Sequence, residues 1–194
     1  MIKASEVRRA DYPVDKIFLD RWSPRAMSGE GLSEQELMVL FEAARWAPSS
    51  GNNQPWRVLY ARRESNHWPV FFDLLGEGNK RWAHKGAALL IFISKKMRDN
   101  GKPAITHSYD TGAAWVSLAL QGALKGYVVH GMQGFDYDRA RAVLKIPEDY
   151  AVEAAAVVGK AGNVADLSED LQQRETPSAR RPVKESVCEG PFGF

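Results

Sequence analysis

The chain has 194 residues, a length that suits a single domain burying about 70% of the surface its unfolded form exposes. Twenty-six lysines and arginines against 24 aspartates and glutamates leave a formal charge of +2, which argues against a general nucleic-acid-binding surface. Cys188 stands alone, so an intrachain disulfide is excluded, and no apolar run approaches the ~20 residues of a membrane span. The N-terminus, MIKASEVRRADYPVDK, has no signal-peptide core, and the expectation is a cytoplasmic protein of one domain over residues 1–194. Neither an internal repeat nor a low-complexity tract is visible.

Residues 1–13 are charged and read as an arm, frayed or draped on a partner. Val14–Asp20 can form a short helix using Ile17 and Phe18. RWSPR, Arg21–Arg25, follows, with Pro24 preventing a regular helix. Its arginines suit a phosphate, a carbonyl needing a fixed cation, or simply a solvated loop. Leu32–Ala47 is the clearest helix. Ser33 is its N-cap, Glu36 completes a capping box, and Leu32 and Leu37 form a staple. Leu37, Leu40, Phe41 and Ala44 mark its buried stripe.

Pro48 ends that helix within AARWAPSSGNNQPWR, Ala43–Arg57. Ser49, Ser50, Gly51, Asn52, Asn53 and Gln54 then place two hydroxyls, a glycine and three amides in a row. Amides both donate and accept, so this loop can meet a heterocycle edge carrying N–H and C=O groups. A polar connector is the alternative reading. Trp56–Arg63 reads as a strand, and a helix near Trp68–Leu75 fades at Gly76. GEGNK, Gly76–Lys80, lacks the third glycine of a dinucleotide fingerprint and lies between helices, so a Rossmann motif is rejected.

Ala87–Ser94, AALLIFIS, has the continuous apolar character of a strand covered on both faces. A polar loop over residues 95–106 leads to a second strong helix, Tyr109–Lys125. Val116, Leu120, Ala123 and Leu124 share one face, while Gly112, Ala113, Ala114 and Ala119 permit close packing. That helix belongs to the core or to a subunit interface. Tyr127–His130 is a short strand, and GMQGFD, Gly131–Asp136, is a loop whose backbone N–H groups can approach a ligand. Asp136 or Asp138 caps a helix ending before Pro147, and Tyr150–Val158 is a further strand. A short helix near Ser168–Arg174 precedes a basic tail holding Arg180 and Arg181.

The four histidines, His67, His84, His107 and His130, have no metal-site spacing, so no metal is expected. A nucleophile elbow and a Walker A motif are both missing, and Cys188 reads as structural. Hydrogen-bonding loops and arginines remain, which suit an organic cofactor that carries the chemistry itself.

RWSPR, the helix ending in APSSGNNQPWR, GMQGFD after a long helix, and SARRP near the C-terminus together resemble the FMN-dependent nitroreductase family, from about Val14 to Arg181. The resemblance implies an α+β fold with a central, mainly antiparallel sheet flanked by helices. It also implies an intertwined homodimer with FMN at the subunit interface and a tail, 175–194, contributing to both. Arg21, Trp22 and Ser23 then fall beside the flavin phosphate and ribityl chain, and Arg25 beside N1 and the C2 carbonyl. Pro48, Ser49, Ser50, Asn52 and Gln54 match a loop that reaches the flavin largely from the other subunit. Asn79 matches an amide at the flavin's polar edge. Met132, Gln133 and Gly134 match the loop whose N–H approaches N5, and Arg180 with Arg181 matches a phosphate clamp. Gln133 stands where glutamate is frequent, and Trp22 where basic or small polar residues occur.

The implied activity is ping-pong hydride transfer from NAD(P)H through flavin N5 to a nitroaromatic, quinone or similar small electron acceptor, with no catalytic side chain. Reductive dehalogenation, flavin fragmentation, and a non-catalytic FMN-binding sensor are the alternatives. The segment between Lys95 and Tyr109 is too short for a large lid.

Overall fold

The computed structural model describes residues 3–194; residues 1 and 2 of the expected N-terminal arm lie outside them. Four strands form one antiparallel sheet in the order β1-β2-β4-β3. They are β1 (Trp56–Arg62), β2 (Ala88–Lys95), β3 (Tyr127–Met132) and β4 (Tyr150–Lys160). The helices are α1 (Lys16–Asp20), α2 (Glu34–Arg45), α3 (Trp68–Asp73), α4 (Glu77–Ala83), α5 (His107–Leu124), α6 (Tyr137–Val143) and α7 (Glu169–Gln172). Among the described residues, no helix is long and apolar enough to cross a membrane.

Strand β2 explains the layering. All its residues but Lys95 are buried, as its unbroken apolar run predicts. Leu89, Ile91 and Ile93 face one core with Phe71, Leu74 and Trp82 of α3, α4 and their connection. Ala88, Leu90 and Phe92 face a second core made with α2 and α5, through Leu37, Leu40, Ala114 and Leu118. Strand β4 divides likewise, with Ala155 and Val157 on the first side and Ala156 and Val158 on the second. Successive strand residues point to opposite faces, so two interior strands serve two cores at once.

The predicted capping box fixes the start of α2. The Ser33 hydroxyl accepts from the Glu36 N–H at 3.2 Å, and Glu36 Oε2 accepts from the Ser33 N–H at 2.7 Å. Asp136 caps α6 by accepting from the Arg139 N–H at 2.9 Å. One reading left open is decided and one needs correction. Helix α5 buries Ala114, Leu118, Ala119 and Gly122 in the core, whereas Val116 and Leu124, read as sharing a face of a core or interface helix, are exposed. Gly122 explains the choice: a Cβ there would lie 2.4 Å from Val129 Cγ2, so only glycine lets α5 sit this close to the sheet. Cys188, read as structural, is exposed.

Leu118 on α5 is fully buried against the second core. Leu118→Ala is expected to cost about 2–5 kcal/mol of stability, read by urea unfolding.

Candidate functional site

Two concavities adjoin at Ser23. The first, of about 260 Å³, is lined by Arg8, Arg21, Trp22, Ser23, Arg25, His130, Arg174, Thr176, Ser178 and Arg180. Five of these are arginines and none is acidic. The second, of about 610 Å³, lies between α5 and the sheet. Ser23, Phe92, Thr111, Trp115, Gly131, Met132, Gln133, Tyr137 and Ala154 line it, with Ser108 and Glu153.

The arginine pocket gathers distant parts of the chain. Arg8 donates to the carbonyls of Leu19 at 2.7 Å, Arg21 at 3.0 Å and Ser178 at 3.0 Å, which ties the N-terminal segment across the pocket's rim. Buried Glu175 anchors the RWSPR segment, its Oε1 accepting from the N–H groups of Arg25 at 2.5 Å and Ala26 at 2.8 Å. The Arg25 guanidinium lies 3.7 Å from Glu175 Oε2. Burial lowers the pKa of Arg21, and Arg180 adds to the effect by repulsion. Arg8 is lowered by burial, then by Arg180 and Arg21. Cations crowded together in this way favour an anionic guest.

His130, on β3, borders the same pocket and donates from Nδ1 to the Pro24 carbonyl at 2.9 Å, since a carbonyl can only accept. Burial holds its pKa down to about 4, the Pro24 bond opposes this, and Arg25 and Arg21 push it lower. The ring therefore stays neutral beside the arginines.

Trp115, in the cavity wall, and the loop that follows β3 each carry a donor without a partner among the described residues. Trp115 Nε1 is buried without a hydrogen bond among the described residues. The N–H of Gly134, an exposed residue that follows Gln133 and lines neither concavity, donates to no described group. The Gly134 carbonyl instead accepts from the Gly76 N–H at 2.9 Å and from Asn79 Nδ2 at 2.9 Å. These bonds tie the loop to the start of α4. A flat heterocycle with acceptors on its edge, tethered to a phosphate, fits this donor set.

Of the residues singled out in the sequence, the structure brings Arg21, Trp22, Ser23, Arg25 and Arg180 to the arginine pocket, and Met132 and Gln133 to the adjoining cavity. Arg181 borders neither and is exposed. Pro48, Ser49, Ser50, Asn52 and Gln54 form a separate group outside both. There the Ser50 N–H donates to buried Asp110 at 3.2 Å, and Arg98 donates to the Ser50 hydroxyl at 3.0 Å. Asn52 and Gln54 take φ values of 53° and 47°, a left-handed conformation that costs energy outside glycine. Sequence reasoning missed Arg8, Arg174, Glu175, Trp115 and Glu153. The Arg8–Arg9 pair was the one available signal, and it was absorbed into a charged arm.

Fold and site thus define an α+β protein with an arginine-lined pocket adjoining a partly aromatic cavity. The chain belongs to the nitroreductase family. The sequence profile of that family matches residues 19–79. A solved oxidoreductase containing FMN is 46% identical, with a TM-score of 0.92 and 96% of each chain covered. An NADH dehydrogenase of Thermus thermophilus is 28% identical over 171 residues, spanning 73% of this chain and 83% of that protein. A nitroreductase family protein of Streptococcus pneumoniae shares the fold at 18% identity, with a TM-score of 0.70 over 90% of this chain and 98% of its own.

Neutral His130 implies a defined acid response. A depressed histidine stabilises the fold fully above pH 6.5, and that contribution is lost as pH falls toward about 4. Urea unfolding between those limits is expected to show a decline on the order of 2–3 kcal/mol, which His130→Asn flattens.

Proposed function

We propose that the protein is an FMN-dependent oxidoreductase that takes reducing equivalents from NAD(P)H and delivers them to an electron-poor acceptor such as a nitroaromatic or a quinone. The observation that carries this reading is the junction of an arginine-lined pocket with an aromatic-lined cavity through one residue, Ser23. FMN has the same two-part character, a charged phosphate joined by a short chain to a flat ring. The FMN content of the 46% identical relative supports the cofactor, and the Thermus thermophilus NADH dehydrogenase supports the donor.

When bound, the flavin supplies hydride acceptance and donation at N5. The chain's own residues bind, orient and polarise. Arg8, Arg21 and Arg180 neutralise the phosphate, while Glu175 holds the RWSPR backbone in place. Arg25 would provide a fixed positive charge near the bound flavin, an electrostatic contribution prepared before reduction. The Gly134 N–H would be a donor for the flavin ring, and Gln133 would leave its surroundings without a negative charge. No side chain acts as a nucleophile.

The working unit in this reading is a homodimer. Val116 and Leu124 on α5, with Ile105, Tyr109 and Trp46, leave large apolar side chains exposed, as a second copy would cover. The loop from Pro48 to Gln54, held apart from its own cavity, then faces the flavin of the other subunit.

A yellow isolated protein whose flavin bleaches under anaerobic NADH or NADPH is the expected result, and a protein that stays colourless after incubation with FMN refutes the proposal. Arg21→Ala should weaken FMN binding about tenfold or more, because a charged hydrogen-bond partner contributes about 1.5–3 kcal/mol; equilibrium dialysis reads this. At Gly134, a Cβ would stand 2.9 Å from Asn79 Nδ2. Gly134→Val should therefore displace the loop and slow flavin reduction in stopped flow, with unchanged rates rejecting the N5 assignment.

A further inference from the structure

The pairing of β2 with β4 slips by one residue beside the cavity. Phe92 faces Ala154, but Ile93 faces Val152, which leaves Glu153 as the extra residue of a β-bulge. The slip reverses the alternation of β4. Val152 packs with Ala155 and Val157 on the far side of the sheet, so Glu153 and Ala154 both turn toward α5 and the cavity. Bulges redirect single side chains in this manner, and here the redirected group is a carboxylate in a wall whose other polar side chains are uncharged.

The surroundings are arranged to hold that charge. Glu153 Oε1 accepts from the fully buried Ser94 hydroxyl and from the Ser108 hydroxyl at 2.7 Å. His107 Nδ1 lies 2.7 Å from Ser94 Oγ, which already donates to Glu153, so Nδ1 donates to it in turn. Glu153 Oε2 has no hydrogen-bond partner among the described residues, although the side chain is only 22% exposed. The flavin phosphate pocket does not include Glu153.

We propose that Glu153 forms a substrate subsite that selects aromatic acceptors bearing an O–H or N–H group and rejects those bearing a carboxylate. Oε2 can only accept, so it rewards a donor, and its charge repels an anion. Ser94, Ser108 and His107 are positioning residues that fix the carboxylate through Oε1. The substrate class rests on the flavin reductase reading, but the discrimination itself is a binding property of this chain.

The test uses para-nitrobenzyl alcohol and para-nitrobenzoate on the FMN-loaded protein. Chemical-shift titration without NAD(P)H gives a dissociation constant for each compound with no turnover, and steady-state assays with NAD(P)H give kcat/KM. The wild type is expected to bind the alcohol more tightly. Glu153→Gln keeps the volume and the two hydroxyl bonds but removes the charge, and should shrink the preference about tenfold, mostly by tighter benzoate binding. Ser108→Ala retains the charge but removes one of the hydroxyls that fix the carboxylate, and should leave a preference between those of the wild type and Glu153→Gln. Equal binding by the wild type, or a preference unchanged in Glu153→Gln, overturns the subsite. Failure to reduce either compound overturns the proposed activity instead, and the titrations still decide the subsite.

Discussion

Burial of β2 and β4 on both faces is the constraint from which the rest of the structure follows. Two strands that serve two cores have no room for polar side chains along their middles. Most polar groups that border the two concavities lie at strand ends, in loops or on other elements, and Glu153 enters the cavity only through the bulge in β4. At one end of the α5 side, the second core stops short and the cavity begins, with Phe92 and Ala154 belonging to its wall. The cavity is thus the unfilled continuation of a hydrophobic core, which explains its aromatic lining and the isolation of its few polar atoms.

The arginine pocket obeys a different logic. Its cations come from the N-terminal segment, from RWSPR and from the stretch after α7. They repel one another, and the backbone bonds to Glu175 and the carbonyl bonds of Arg8 hold the segments together against that repulsion. Neutral His130 avoids adding a further cation at physiological pH.

Local chemistry was legible in the sequence. The Ser33–Glu36 box, the Asp136 cap and the β2 apolar run each depend on neighbours a few residues apart, and each formed as read. Likewise, the residues of RWSPR and GMQGFD could be singled out because their types announce a donor set. What stayed hidden depends on register and on distance along the chain. Glu153 reads as one charged residue in an alternating strand until the bulge at Phe92 and Ile93 turns it inward. Glu175 reaches Arg25 across 150 positions, and Arg8 reaches Ser178 across 170. The sequence leaves open which side of α5 meets the sheet, because Gly122, not the larger apolar residues, decides the approach.

The route of the chain through the arginine pocket has one more consequence. Arg8 lies near the beginning of the sequence and Arg174 and Arg180 near its end, yet all three border the same space as Arg21 and Arg25. A multivalent anion lodged there works as a clasp joining head, body and tail. Taking up the cofactor would then consolidate the fold as well as equip it for chemistry, and a chain lacking it would be most open to proteases at its two extremities.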